Sequence, residues 1–239
     1  MPGKPRGENT SGPLMQVFEA ACVLGAVVLI AVHAVRLAAV PEVYHWSVLV
    51  LILLGLPAAD FLSGVIHWLG DTWGSESAPW FGPRFLKPFR YHHVNPRALT
   101  ESHFFTTNGD TALVSDLFLL AAFLLPLDSA AGRSLVVFTV AFCAWGLPTS
   151  QYHKWAHLPT PPRWVAWLQR RRLILSPEHH AAHHVPPYAQ NYCITTGWCN
   201  PVLTAIRFFP ALEWCISRLT GATPRCDARP PAAQAPVRR

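Results

Sequence analysis

The sequence predicts an all-α integral membrane protein with four transmembrane helices and a histidine-rich cap on the cytoplasmic side. Three observations predict this class. Hydrophobic residues make up 51% of the 239 residues and charged residues only 13%, a balance that is unusual for a soluble globular domain. Four apolar stretches approach or exceed the roughly 20 residues that a helix needs to cross a bilayer. The 12 histidines and the 19 basic residues are distributed unevenly around those stretches.

Short connectors join the apolar stretches in two helical hairpins. The predicted spans cover residues 14–40, 44–70, 111–127 and 134–150. The polar, Pro- and Gly-rich residues 1–13 and the Pro-rich residues 226–239 are predicted to be disordered, because they contain too little apolar surface to fold. Residues 14–225 are therefore expected to form one membrane domain.

The basic residues orient this domain. All of the 19 except Arg36 and Arg133 lie before the first span, between the second and third spans, or after the fourth. With four spans these three regions share one face, which the positive-inside rule makes cytoplasmic. The cap is thus predicted to comprise residues 71–110 and 151–225. Because topology explains the net charge of +6, we expect no nucleic-acid partner but a multi-pass protein of a bacterial inner membrane or the endoplasmic reticulum.

Ten of the histidines lie on the cytoplasmic side, and their spacing is typical of metal chelation. His67 and Asp71 are four residues apart, as are His153 and His157. On a helix such pairs share one face, with Cβ atoms roughly 5–6 Å apart. In "HAAHH", residues 180–184, the last two histidines are adjacent, so one can reach each of two metals.

The number of histidines favours two metal ions over one. A tetrahedral site takes three or four ligands, whereas at least eight histidines are clustered here. Crowded imidazoles lower one another's proton affinity, and a metal ion resolves the crowding by binding their lone pairs. Imidazole binds zinc, copper, iron and nickel alike, so the donor atoms leave the metal open. The six cysteines form no C-x-x-C pair, which argues against a thiolate site.

Two aspartates accompany the histidines. Asp60 lies inside an apolar span, where an ionisable side chain is a functional candidate. We expect it to hydrogen-bond a metal-binding histidine and so orient it; a hydrogen bond between helices is the alternative. Asp71 is expected to be either a ligand or a partner of this kind.

Several motifs resemble a known family of membrane enzymes. Histidine clusters on one face of a four-span protein resemble the integral-membrane diiron desaturases and hydroxylases. The strings "ADFLSGVIHWLGDTWGS", "PFRYHHVNPRALT", "TTNGD", "QYHKWAH" and "LSPEHHAAHHVPPYAQNYCITTGWCNP" are similar, in order, to the plasmanylethanolamine desaturases. This family is also called Kua-type or CarF-like, and a plant plastid phosphatidylglycerol fatty-acid desaturase branch is related to it. The resemblance covers roughly residues 42–225.

The resemblance implies two iron ions held by eight histidines. The matching positions are His67, His92, His93, His153, His157, His180, His183 and His184. Asn108 and Asp110 of "TTNGD" match the family and are implied to complete the metal environment, directly or through water. His179 is treated as a flanking residue. His103 is shifted by one position from the family pattern and is left out of the ligand set.

The implied reaction introduces the vinyl-ether double bond into the sn-1 O-alkyl chain of plasmanylethanolamine to give a plasmalogen. It uses O₂ and electrons from a separate donor, cytochrome b5 or a ferredoxin, and we expect no bound flavin or haem. Four basic residues flank the His92–His93 pair and are candidates for binding the head group of this alkyl-ether phospholipid. They are Arg84, Lys87, Arg90 and Arg97. Solvated positive-inside charge explains them equally well.

Other functions remain open from the sequence. Within the enzymes, the alternatives are an acyl-chain desaturase acting on phosphatidylglycerol and a lipid hydroxylase. Outside the enzymes, they are a metal transporter and a haem-binding electron carrier. A transporter is expected to place its ligands near the bilayer midplane, whereas these histidines lie at one face, which counts against both non-enzyme alternatives.

Overall fold

The computed structural model describes residues 12–79 and 81–225, which form eleven α-helices and contain no β-strand. The helices are α1 Pro13–Ala38, α2 Ser47–Thr72, α3 Lys87–Val94, α4 Pro96–Glu101, α5 Phe104–Ala121, α6 Ala130–Gly146, α7 Thr149–Ala156, α8 Arg163–Arg170, α9 Pro177–His183, α10 Asn200–Ala205 and α11 Phe208–Thr220. Pro41–Val43 and Ala122–Leu124 form 3₁₀ turns, and Gly82–Leu86 forms a π-helical turn. The all-α prediction is confirmed for these residues.

Three helical segments are long and apolar enough to cross a membrane. They are α1, α2 and the segment Ala130–Ala156, which joins α6 to α7. These segments contain most of the first, second and fourth predicted spans. The third predicted span, 111–127, falls on α5 and the 3₁₀ turn after it. The first turns of α5 carry Asn108 and Asp110, which lower its mean hydropathy, so this helix is not among the three.

Small residues bring the long helices together. The most extensive helix contacts join α1 to α5 and α2 to α6. A Cβ on Gly109 of α5 would lie 2.8 Å from the Cβ of Glu19, and one on Gly55 of α2 would lie 2.8 Å from the backbone nitrogen of Phe142. Such close approach is common where helices associate in a membrane.

The C-terminal half of α2 also packs against the chain between α9 and α10. Residues 192–197 are buried there although they form no helix. Tyr192, Trp68 and Phe209 belong to one hydrophobic cluster, and the indole nitrogen of Trp68 donates a hydrogen bond to Glu213 at 2.8 Å. Non-helical chain is thus held directly beside a candidate membrane helix.

The predicted disordered ends lie almost entirely outside the described residues. Of the lead, residues 1–13, only the last two are described, and Pro13 already begins α1. Proline suits that position because the first helical N–H needs no partner within the helix. The tail, residues 226–239, lies outside the described part of the chain.

Candidate metal centre

Eight histidines and one aspartate converge in two groups. The first group contains His92, His153, His157, His180 and His184. The second contains His67, Asp71, His93 and His183. Within each group, one ligand atom from every residue lies within 4.8 Å of the others. The structure therefore brings together all eight histidines that the sequence singles out.

Four helices supply these side chains through simple spacing. Asp71 follows His67 by one turn of α2, so both reach the second group. The adjacent histidines of α3 diverge, with His92 in the first group and His93 in the second. Near the end of α9 the triplet 180–184 also divides between the groups, as its spacing predicts.

Backbone carbonyls fix the protonation of three imidazoles. The Nδ1 of His67 lies 3.0 Å from the carbonyl of Tyr192, and the Nδ1 of His183 lies 2.7 Å from that of Gln190. The Nδ1 of His92 contacts the carbonyl three residues earlier in its own helix. A carbonyl only accepts hydrogen bonds, so each Nδ1 carries the proton and each Nε2 offers a lone pair. This arrangement orients imidazoles toward metals in proteins.

The Nε2 atoms face one another across the centre of each group. His67 Nε2 and His92 Nε2 are buried and have no hydrogen-bond partner among the described residues. Buried polar atoms without partners are costly, and a cation between converging lone pairs removes that cost. The Nε2–Nε2 distances are 3.0 Å for His93–His183, 3.2 Å for His153–His157, 2.9 Å for His157–His180 and 3.0 Å for His180–His184.

The second group also offers a carboxylate. Asp71 Oδ2 lies 3.4 Å from the Nε2 of His67, 3.4 Å from that of His183 and 3.7 Å from that of His93. The first group is made of imidazoles alone. Both donor sets fit iron, and imidazole nitrogen with carboxylate oxygen is common at non-haem iron sites.

Burial keeps three imidazoles of the two groups neutral. Loss of solvent, together with the neighbouring imidazoles, lowers the pKa of His93 from its usual 6.5 to about 2. The same two causes, with burial the larger, lower the pKa of His184 to about 3 and that of His157 to about 4. At neutral pH their lone pairs are therefore available without loss of a proton.

Asp60 corrects one prediction from the sequence. Its Oδ1 accepts hydrogen bonds from the backbone N–H groups of Thr195, Thr196 and Gly197 at 2.8 to 3.1 Å, and its Oδ2 accepts one from Cys199 at 2.9 Å. The predicted direct contact with a metal-binding histidine is wrong, because these four donors occupy the carboxylate. Asp60 instead holds the non-helical segment whose Tyr192 carbonyl orients a histidine.

Three other polar residues lie outside both groups. Asn108 donates from its side-chain amide to the carbonyl of Phe104 and to Gln151 Oε1. Asp110 forms an ion pair with Arg84, whose Nη2 lies 2.7 Å from its Oδ1. The Nε2 of His179 lies 2.8 Å from the amide nitrogen of Asn200, in agreement with a flanking role.

The four candidate head-group residues separate into different environments. Arg90 is 6% exposed and donates to the carbonyls of Gly70, Trp73 and Gly74. Its prediction as a head-group residue is wrong, because it fastens the end of α2 instead. Lys87 and Arg97 are exposed. They do not line the cavity that Arg84 lines.

This cavity, of about 480 Å³, links the metal centre to the apolar helices. His67 of the second group and His92 and His153 of the first line it. Arg84 and Asp110 also line it, and most of the remaining surface is apolar, from α1, α2, α5 and the joined α6 and α7. An elongated apolar ligand in this space would therefore contact both groups of histidines.

One charged residue near the cavity is missing from the sequence prediction. Glu19 of α1 is 1% exposed, and its Oε1 lies 3.4 Å from Nη2 of Arg84. The rule that selects Asp60, an ionisable residue within an apolar span, would also have selected Glu19.

Comparison with known proteins places the chain in a family. The model of the lipid desaturase domain matches residues 56–227. Plasmanylethanolamine desaturase of Myxococcus xanthus is 42% identical over 215 residues, which are 90% of this chain and 76% of that protein. Plasmanylethanolamine desaturase 1 of Mus musculus is 42% identical over 193 residues, 77% of this chain and 71% of that protein.

A plant relative is more distant. Fatty acid desaturase 4, chloroplastic, of Arabidopsis thaliana is 38% identical over 182 residues, 74% of this chain and 54% of that protein. No solved structure matches the chain. The chain therefore belongs to the lipid desaturase domain family and is an oxidoreductase enzyme.

Proposed function

We propose that this enzyme introduces the vinyl-ether double bond into the sn-1 O-alkyl chain of plasmanylethanolamine and so forms a plasmalogen. The observation that carries the proposal is the apolar cavity lined by histidines of both groups. It allows an alkyl chain to lie against the centre while the polar head group stays beside Arg84 and Asp110. The names of the bacterial and mouse relatives support the same substrate.

The proposed centre holds two iron ions, one in each group of ligands. The first ion would be held by His92, His153, His157, His180 and His184. The second would be held by His67, Asp71, His93 and His183. When bound, the two ions would supply the activation of O₂ that no side chain provides.

The reaction balances with one molecule of O₂. Two hydrogens leave C1 and C2 of the alkyl chain, and a C=C bond forms between these carbons. Oxygen takes two electrons from the substrate and two from an external donor, cytochrome b5 or a ferredoxin. With two protons from solvent, the products are the vinyl ether and two molecules of water.

The protein's own residues would bind and orient the substrate. The apolar lining, which includes Leu62, Ile66 and Phe142, holds the alkyl chain and excludes water from it. The carbonyls of Tyr192 and Gln190 hold protons on Nδ1 of His67 and His183, which keeps both Nε2 atoms directed inward.

We further infer that α5 crosses the membrane as a fourth span. It packs against α1 more extensively than any other pair of described helices does. Four spans agree with the distribution of basic residues, which supports a metal centre on the cytoplasmic side. The chain would then be a multi-pass protein of a bacterial inner membrane or the endoplasmic reticulum.

Expression in a host that lacks vinyl ethers, supplied with alkyl-ether phosphatidylethanolamine, tests the function. We expect acid-labile vinyl ether in the lipid extract from cells with the wild-type chain and none from cells with His153→Ala. A new acyl double bond without vinyl ether would contradict the proposal and favour an acyl-chain desaturase. Metal analysis of the purified protein should find close to two irons per chain, and a single zinc would contradict the proposed centre.

A further inference from the structure

A group of three charged side chains lies beside the cavity and belongs to neither group of candidate metal ligands. Arg84 donates to both oxygens of Asp110, at 2.7 and 3.2 Å. Its Nη2 also lies 3.4 Å from Oε1 of Glu19. One guanidinium therefore contacts two carboxylates. Among the described residues that line the cavity, Arg84 and Asp110 are the only arginine, lysine, aspartate or glutamate residues.

The packing of α1 on α5 builds this group. Gly109 lets the two helices approach, since a Cβ there would lie 2.8 Å from Cβ and Cγ of Glu19. Glu19 is consequently buried, whereas the side chain of Asp110 is 43% exposed. The carboxylate that a ligand can reach is therefore Asp110, while the buried Glu19 contacts the same guanidinium nitrogen, Nη2.

A hydroxyl near these charges indicates a ligand as well. Thr107 precedes Asp110 by nearly one helical turn, lines the same cavity and is 8% exposed. Its Oγ1 is buried and makes no hydrogen bond to any described residue. A buried hydroxyl without a partner carries a cost that a polar group of a bound ligand would remove.

We propose that Asp110 selects a phospholipid head group that bears a primary ammonium, and that Glu19 positions it for this task through Arg84. The inference rests on the proposed function, which places a phospholipid in this cavity. The ammonium would donate to Asp110, and the neighbouring phosphate would receive the donors of Arg84 that Asp110 does not use. By taking part of the charge of Arg84, Glu19 keeps Asp110 from being neutralised.

Other head groups lack part of this match. A phosphoglycerol head group brings negative charge and no cation, so it meets an uncompensated carboxylate. A phosphocholine head group carries a positive charge but no N–H donor, so it forms no charge-assisted hydrogen bond with Asp110. Hydrogen bonds to charged groups contribute about 1.5–3 kcal/mol, equivalent to about tenfold or more in affinity. The subsite is therefore expected to discriminate between lipids that have the same alkyl chain and different head groups.

Binding of lyso-lipids to the metal-free full chain in detergent tests the inference without any reaction. The probes are 1-O-alkyl lyso-phosphoethanolamine, lyso-phosphoglycerol and lyso-phosphocholine with identical chains, titrated by calorimetry. We expect wild type to bind the ethanolamine lipid about tenfold more tightly than either other lipid. Asp110→Asn and Glu19→Gln should bring the ratios of dissociation constants between the lipids close to one. Both replacements nearly conserve shape, and elution in gel filtration checks that the variants are folded.

Asp116→Asn is the matched control. Asp116 lies on the same helix, about 9 Å further along at 1.5 Å per residue, and it faces Gly25 of α1 instead of the cavity. This variant loses the same charge and should keep the wild-type ratios of dissociation constants between the lipids. Equal binding of the three lipids by wild type, or full selectivity in Asp110→Asn, would overturn the inference.

The same experiment separates this inference from the proposed function. Selective binding by wild type, lost in Asp110→Asn, supports the subsite even if no vinyl ether forms in cells. Vinyl ether formation together with unselective binding would support the function and overturn the subsite. Failure of one proposal is therefore distinguishable from failure of the other.

Discussion

Replacing Asp60 by Asn tests how α2 holds the non-helical segment 192–199. The carboxylate is fully buried and accepts four backbone N–H groups, three on Oδ1 and one on Oδ2. Asparagine has nearly the same shape. Its amide oxygen can replace Oδ1, but its NH₂ group then points at the N–H of Cys199, which loses its acceptor.

The magnitude follows from these contacts. Three hydrogen bonds change from charged to neutral, a loss of about 1 kcal/mol each, and one buried N–H loses its partner at about 1–3 kcal/mol. The expected loss is about 4–6 kcal/mol. This is a large part of the roughly 5–15 kcal/mol that stabilises a typical domain.

Hydrogen exchange of the segment is the most direct assay. In wild type, the amides of Thr195, Thr196, Gly197 and Cys199 should exchange slowly, because they are bonded to a buried carboxylate. In Asp60→Asn, these amides should exchange much faster, and the melting temperature should fall. Iron content should fall too, since the same segment carries the carbonyl that orients His67.

Asp116→Asn again serves as the control, because it removes a carboxylate from a helix without touching this segment. It should leave exchange of residues 192–199 unchanged. If Asp60→Asn also left that exchange unchanged, the four hydrogen bonds would not be what holds the segment, and the reasoning would be refuted.

Three further predictions concern packing, metal binding and pH. Gly64→Ala should lower the melting temperature because its Cβ would lie 2.4 Å from Sγ of Cys193, whereas Gly146→Ala meets no atom closer than 3.5 Å and should not. Replacing His67 and His183 together by Ala should leave close to one iron per chain by metal analysis, since two ligands remain in the second group; retention of two irons would contradict the assignment. Acidification of the metal-free protein below pH 6.5 should lower its melting temperature. His93 and His157, with pKa values of about 2 and about 4, take up protons in the unfolded chain at a higher pH than in the folded one. Each therefore lowers the free energy of unfolding by about 1.4 kcal/mol per pH unit below pH 6.5. A constant melting temperature between pH 7.5 and 5.5 would contradict this.

The family resemblance supplied the set of eight histidines, and local spacing could predict how several of them are grouped in the candidate metal centre. Spacings of three, four and one residue decide which imidazoles share a helix face, and the structure places them accordingly. The division of the adjacent pair His92–His93 between two groups also follows from spacing, since neighbouring residues of a helix point in different directions. No longer-range information is needed for this step.

The roles of Asp60 and Arg90 could not be predicted in this way. The partners of Asp60 lie 135 to 139 residues further along the chain, and local spacing carries no information about them. Arg90 resembles the other basic residues near it in sequence but is buried against carbonyls at the end of α2. In both cases tertiary packing decides which polar groups meet.

The polar face of α2 explains why an irregular segment can lie beside an apolar helix. Backbone groups at membrane depth must be satisfied within the protein, and residues 192–199 form no helix that would do so. Asp60, Ser63 and His67 lie on one face of α2, at spacings of three and four residues. In the opposite chain direction, His67 donates to the carbonyl of residue 192, and Ser63 accepts from the N–H of residue 194. Asp60 accepts from the N–H groups of residues 195, 196, 197 and 199. The face of α2 that contributes His67 to the candidate metal centre thus also satisfies the backbone that orients this histidine. A change at Asp60 should therefore affect the centre although Asp60 belongs to neither group of candidate ligands.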